Sequence, residues 1–242
     1  MQPQIFAPVK DALQAMITGF LDGSKADGNA VSNTEHQPLL TALITAFSQQ
    51  DNFEVKLASV DAAFDANPAF EPIREFCFDL LMVNFFASDS VRLGADYLES
   101  AEWAEIEDGI LDRGTELLNL LLYINECKEA DAELSLDDFL KEFLLTDDDL
   151  YQDEHAIYEP IIKNQNLVDG EIKDIVESAA QVDDEDIQEI YVPLMVFFNV
   201  ADEYEERYQQ LLKYSPNKAT DAAILAGINT FAESLGEDIE SE

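Results

Sequence analysis

Positive charge is what this sequence has least of. Against 52 aspartates and glutamates stand 13 lysines and arginines, a formal net charge of −39 in 242 residues. A surface that negative is repelled by the phosphates of DNA and RNA and by anionic lipid, so direct contact with nucleic acid or a charged membrane is not expected. It also repels itself, which makes salt, counterions or a basic partner favourable company. Histidine is scarcer still. His36 and His155 each follow a glutamate. Adjacent residues on a helix point about 100° apart, whereas helical carboxylate–histidine metal sites use a spacing of three. The residues three before the histidines are Asn33 and Gln152, so helix starts are the simpler reading and no metal is assigned. Cys77 and Cys127 have no CxxC or CxxH spacing and read as buried free thiols, which fits a reducing, cytoplasmic setting. The nine glycines are scattered and form no phosphate-binding loop. No cofactor follows from them.

Long apolar runs are also missing. Phe76 to Ala87 is interrupted by Asp79 and Asn84, and Leu117 to Ile124 is too short to span a bilayer. The opening residues, MQPQIFAPVKDALQAM, lack the basic-then-apolar pattern of a secretory leader. Strand signals are absent as well: no period-two alternation is sustained, and no Asn-Gly or Asp-Gly joins β-branched runs.

What is present is helical periodicity along nearly the whole chain. Ile5, Val9, Leu13, Met16 and Phe20 form one stripe; Leu39, Leu40, Leu43 and Phe47 follow Pro38; Val55, Val60 and Phe64 precede Asn67-Pro68. The stretch from Glu71 to Ala87 is apolar on most faces, which predicts a central helix. Tyr97 to Trp103 and Ile110 to Ile124 continue the pattern. Ser135 with Asp138, and Thr146 with Asp149, read as helix starts whose side chains cap free amides. A long helix is expected over Asp183 to Tyr214, kinked at Pro193, and a last one over Ala219 to Leu235. The longest polar connection is Asp22 to Gln37. Asp22, Ser24, Asp27 and Asn29 space oxygens much as a calcium loop does, but Ala26 and Asp27 occupy the fifth and sixth positions, where that loop needs an oxygen ligand and glycine. A surface loop is the expectation there.

The sequence also echoes itself. FEVKLASVDAA (Phe53 to Ala63) resembles GEIKDIVESAA (Gly170 to Ala180), and LMVNFFASD (Leu81 to Asp89) resembles LMVFFNVAD (Leu194 to Asp202). Glu35-His36 before Pro38 pairs with Glu154-His155 before Pro160, and the three echoes keep one order at offsets of 113 to 119 residues. The expected architecture is all-α, a multi-helix bundle or helical array made of two tandem copies, residues 1–125 and 126–242. The second half is the more acidic, with 32 acidic and 7 basic residues against 20 and 6. Its excess gathers around Asp147, Asp148, Asp149, Asp153 and Glu154, interleaved with Tyr151 and Tyr158, and this cluster is the expected partner-contact surface. With carboxylates everywhere and no nucleophile elbow, no pair stands out as catalytic. The expected function is therefore that of a non-enzymatic acidic helical protein binding a basic protein, of the immunity or inhibitor kind. A DNA mimic filling a nucleic-acid-binding cleft and a helical domain from a salt-adapted host are the alternatives.

Overall fold

The computed structural model describes residues 5–29, 36–94, 96–143 and 157–237, with the side chains of residues 91, 92, 142 and 143 left aside. Among these residues the fold is all-α, with no strand. The helices are α1 (Ala7–Ala26), α2 (His36–Ser48), α3 (Phe53–Asp65), α4 (Arg74–Asn84), α5 (Ser90–Leu93), α6 (Ala101–Gly109), α7 (Leu117–Glu129), α8 (Leu136–Asp138), α9 (Glu159–Asn164), α10 (Ile172–Ala179), α11 (Glu185–Phe197), α12 (Tyr204–Tyr214) and α13 (Lys218–Glu237). Tight turns of 3₁₀ helix lead into α4 and follow α9, and π-helical segments follow α4 (Phe85–Asp89) and α8 (Phe139–Phe143).

The first and last long helices form the axis of the fold. α1 and α13 run antiparallel at unusually short range: a Cβ on Gly19 would lie 2.4 Å from the Ala222 carbonyl oxygen, and one on Gly23 only 2.2 Å from that of Lys218. Ala12, Ala222, Ala223 and Ala226 are buried along the same seam. Small residues at intervals of three and four let two backbones approach as larger side chains would not. Around this pair, α1 packs on α2 and α4, while α13 packs on α7, α11 and α12. As the sequence predicts, α4 is central: every residue from Phe76 to Phe85 is buried. One hydrophobic core runs from Val9 to Leu235. No helix among the described residues is long and apolar enough to cross a membrane.

Several boundaries differ from those read in the sequence. Asp22 to Ala26 is not loop but the last turns of α1, so its carboxylate and hydroxyl are spread around a helix rather than gathered about an ion. Gly23 is buried against α13 there, and that packing outweighs the turn-like composition of the DGSKADG stretch. The expected kinked helix over Asp183 to Tyr214 is two helices. Pro193 sits within α11 without ending it; the break comes after Phe197. There the Asn199 side-chain amide donates to the Val168 and Gly170 carbonyls, both at 2.9 Å. Arg207 donates through Nη1 to the carbonyls of Val196, Phe197 and Asn199 at 3.0, 2.5 and 3.1 Å. Those bonds occupy the free carbonyls of the helix end and place a cation at its negative pole. Ser135 does cap a helix start, accepting from the Asp138 amide at 3.1 Å, whereas Thr146 and Asp149 lie outside the described residues.

The boundary expected after residue 125 falls inside α7, and the strongest packing joins the first helix to the last. The two halves share one core. Of the echoed segments, Phe53–Ala63 lies on α3 and Gly170–Ala180 runs through α10; both Leu-Met-Val triplets, Leu81 to Val83 and Leu194 to Val196, are buried.

Candidate partner-binding groove

Carboxylates are abundant, so the informative question is which of them the few cations neutralise. Arg74 bonds Asp65 at 2.6 Å and Glu71 at 2.8 Å, lies 3.5 Å from Asp61, and covers the Phe64 ring. Arg113 bonds Glu75 at 2.8 Å and Asp61 at 3.1 Å, over the Phe78 ring. Lys56 is buried and reaches Asp89 at 2.5 Å and the Phe47 carbonyl at 3.0 Å, tying α2 and α3 to the π-helical turn. Arg207 is committed to backbone carbonyls, as above. Lys56, Arg74, Arg113 and Arg207 are thus used in holding the fold together, while Lys141, Lys163, Lys173 and Lys218 each pair with a single carboxylate.

Two buried acids belong to that inner network. Asp79 on α4 is fully buried and accepts from the Thr115 amide at 3.0 Å and the Thr115 hydroxyl at 2.6 Å. Burial raises its pKa well above the carboxylate range; the Thr115 bonds oppose the shift, and Glu75 and Glu116 add to it. The turn before α7 presses close here: Gly114 adopts φ +87°, and a Cβ on it would meet the Asp79 carboxylate at 2.6 Å. Asp221, in the first turn of α13, accepts from the Ser215 hydroxyl at 2.5 Å, and burial pushes its carboxyl up to about 7. It borders a hollow that Glu71, Glu75 and Glu189 also line.

The Asp221 shift has a measurable consequence. A raised carboxyl pKa means the folded protein holds a proton that the unfolded chain releases, so stability is fully present below the unfolded value and is lost as pH rises through about 7. Between pH 5 and 7 wild type should lose about 2 kcal/mol relative to Asp221→Asn, which keeps the oxygen facing Ser215. Urea unfolding of both proteins across that range checks this, and parallel stability curves contradict it.

A different surface gathers aromatic rings and carboxylates without cations. Between α1, α12 and α13 runs a groove of about 500 Å³. α1 contributes Asp11, Ala15, Thr18 and Asp22, spaced to share one face; α12 contributes Tyr204, Glu205 and Tyr208; Ala226 and Thr230 of α13 complete the floor. Among the described residues no lysine or arginine lines it. The two tyrosine rings lie 5.8 Å apart, tilted by 38°. Tyr208 is buried and Tyr204 half-buried, while Asp11, Asp22 and Glu205 are exposed. Burial first, then Glu233 and Glu205, push the Tyr204 hydroxyl up to about 12; Arg207 pulls weakly the other way. Tyr208 is raised further by burial and by Asp22. Burial is the larger cause of both shifts, and the neighbouring carboxylates add to it.

The expected contact cluster is described only at Tyr158. Asp147, Asp148, Asp149, Tyr151, Asp153 and Glu154 lie outside the described residues, as does His155. Tyr158 is described and is no surface residue: it is 1 % exposed, packs edge-on to Phe139 and hydrogen-bonds Glu116. Its hydroxyl is held far above the ordinary phenol range by burial and by that carboxylate. His36 opens α2, half-buried. Among the described residues no group of three or more histidine, cysteine, aspartate or glutamate side chains is placed to hold a metal ion. The sequence places Tyr204 and Tyr208 only within the expected Asp183 to Tyr214 helix and leaves the α1 face unremarked, although Asp11, Thr18 and Asp22 recur there at helical spacing. No protein-family model, no curated protein and no solved structure matches this chain.

Proposed function

We propose that this protein is a non-enzymatic acidic helical interaction protein whose ligand is a basic protein. The observation that carries the reading is the groove between α1, α12 and α13, lined by two tyrosines and three carboxylates with no cation among the described lining residues. Tyrosines give rigid contact area with a polar tip, and exposed carboxylates steer and orient a positively charged partner. The consumption of Lys56, Arg74 and Arg113 inside the fold supports the same reading, because it leaves the remaining surface charge to be balanced from outside. The test is capture from host lysate at low salt on the immobilised full chain. A basic protein retained there and released by moderate salt is the expected result; retention of no basic protein contradicts the proposal. Competitive displacement of that protein by duplex DNA would redirect the reading to a polyanion mimic.

The same proposal takes the chain as an internal duplication, supported by the order and offset of the sequence echoes. Superposing the halves should bring Phe53–Ala63 onto Gly170–Ala180 and Leu81–Asp89 onto Leu194–Asp202. Unrelated positions for the two pairs reject the duplication and leave the interaction function untouched.

A further inference from the structure

Resting on the basic-partner reading, we infer that the groove between α1, α12 and α13 takes an arginine side chain of the partner in preference to a lysine. The argument begins with what the groove offers. Its aromatic surface is a tilted pair of tyrosines, Tyr204 and Tyr208, rather than aliphatic side chains. Its charged atoms are the carboxylates of Asp11 and Asp22 on one wall and Glu205 on the other. A guanidinium is planar, weakly hydrated and carries donors around its edge, so it can lie on an aromatic face while its edge bonds carboxylates. An ammonium is a compact, strongly hydrated charge that gives up more hydration for the same contact.

The setting makes a cation the fitting occupant. At about 500 Å³ the groove exceeds what one side chain needs, leaving space for flanking peptide. Ala15, Gly19 and Ala226 keep its floor low and apolar, so the aliphatic stem of a long side chain finds contact there. The Arg207 guanidinium acts on Tyr204 but bonds three backbone carbonyls and is not among the residues that line the groove. Lys213, also on α12, lies against Tyr214 instead. An incoming guanidinium therefore faces carboxylates without competition from a resident one.

The experiment compares an oligoarginine and an oligolysine peptide of equal length on the full chain by calorimetry at moderate salt, so that bulk charge contributes equally. Wild type should bind the arginine peptide about 5-fold or more tightly than the lysine peptide. Tyr204→Leu keeps apolar volume but removes the ring, and should bring the two affinities together. Asp22→Asn, at an exposed position, should weaken the arginine peptide more than the lysine peptide. Thermal unfolding of both variants at the wild-type temperature shows that the fold is intact. Equal affinities in wild type, an arginine preference that survives Tyr204→Leu, or no binding of either peptide overturns the inference. The basic-partner reading fails separately, when low-salt capture retains no basic protein.

Discussion

Replacing Gly23 by alanine should destabilise the protein by about 3 kcal/mol, although the same change in an exposed helix stabilises it by about 1 kcal/mol. The reversed sign follows from the seam between α1 and α13. The added methyl would sit 2.2 Å from the Lys218 carbonyl oxygen and 2.5 Å from the Ala219 Cα, and both of those are backbone atoms that no rotamer change can move. The helices must separate, and separation loosens the packing of Ala222 and Ala223 along the same seam. Gly19→Ala should behave alike, since its Cβ would meet the Ala222 carbonyl at 2.4 Å. Gly109, whose added Cβ would meet nothing within 4 Å, supplies the control: alanine there should be neutral or stabilising. Denaturant unfolding of the three variants decides the matter. A stable Gly23→Ala protein would mean that the two helices are farther apart than described.

The second large effect concerns Asp79. Asp79→Ala should cost about 3 kcal/mol, because the Thr115 amide and hydroxyl lose their acceptor inside the core and a cavity opens beside Gly114. Asp79→Asn should be much milder. Burial drives the native carboxyl toward its protonated form; one oxygen still accepts from the Thr115 amide, and protonation of the other turns the Thr115 hydroxyl from donor to acceptor across the same 2.6 Å contact. An asparagine presents the same acceptor and donor. The sign of the pH dependence is fixed by the raised pKa: stabilisation by the acid is lost as pH rises, so Asp79→Asn should gain on wild type from acid toward neutral pH. Chemical unfolding of all three proteins at pH 5 and pH 8 separates these effects. Equal losses for Ala and Asn would show that the polar contacts to Thr115 contribute little.

Most of the helical pattern was legible in the sequence because apolar periodicity needs only local spacing. Helices α2, α3, α4 and α13 lie close to their expected bounds, and α4 is buried from Phe76 onward, as its apolar faces imply. The departures have tertiary causes. The end of α1 looks like a loop until Gly23 is seen against α13. The break between α11 and α12 lies beyond the proline, where Arg207 occupies the carbonyls of the helix end and Asn199 ties the turn to Val168 and Gly170. Tyr158 illustrates the limit of charge density as a guide to surface: its acidic neighbourhood suggests exposure, yet its ring completes an aromatic layer with Phe139. The groove was out of reach for a related reason. Asp11 and Asp22 face Tyr204 and Tyr208 only because the first helix packs beside the last two, and pairing of chain ends leaves no local signature.

The claim that the acidic surface serves to engage a basic protein is tested most directly by an association rate. Stopped-flow mixing of the full chain with the protein it captures, from about 50 to 500 mM salt, should show the rate falling about 10-fold or more while dissociation changes much less. Asp11→Asn, Asp22→Asn and Glu205→Gln combined should slow association at low salt and flatten its salt dependence. A rate indifferent to salt, equal in wild type and the triple variant, would contradict the account and leave the net charge of −39 as a solvated exterior with no part in recognition.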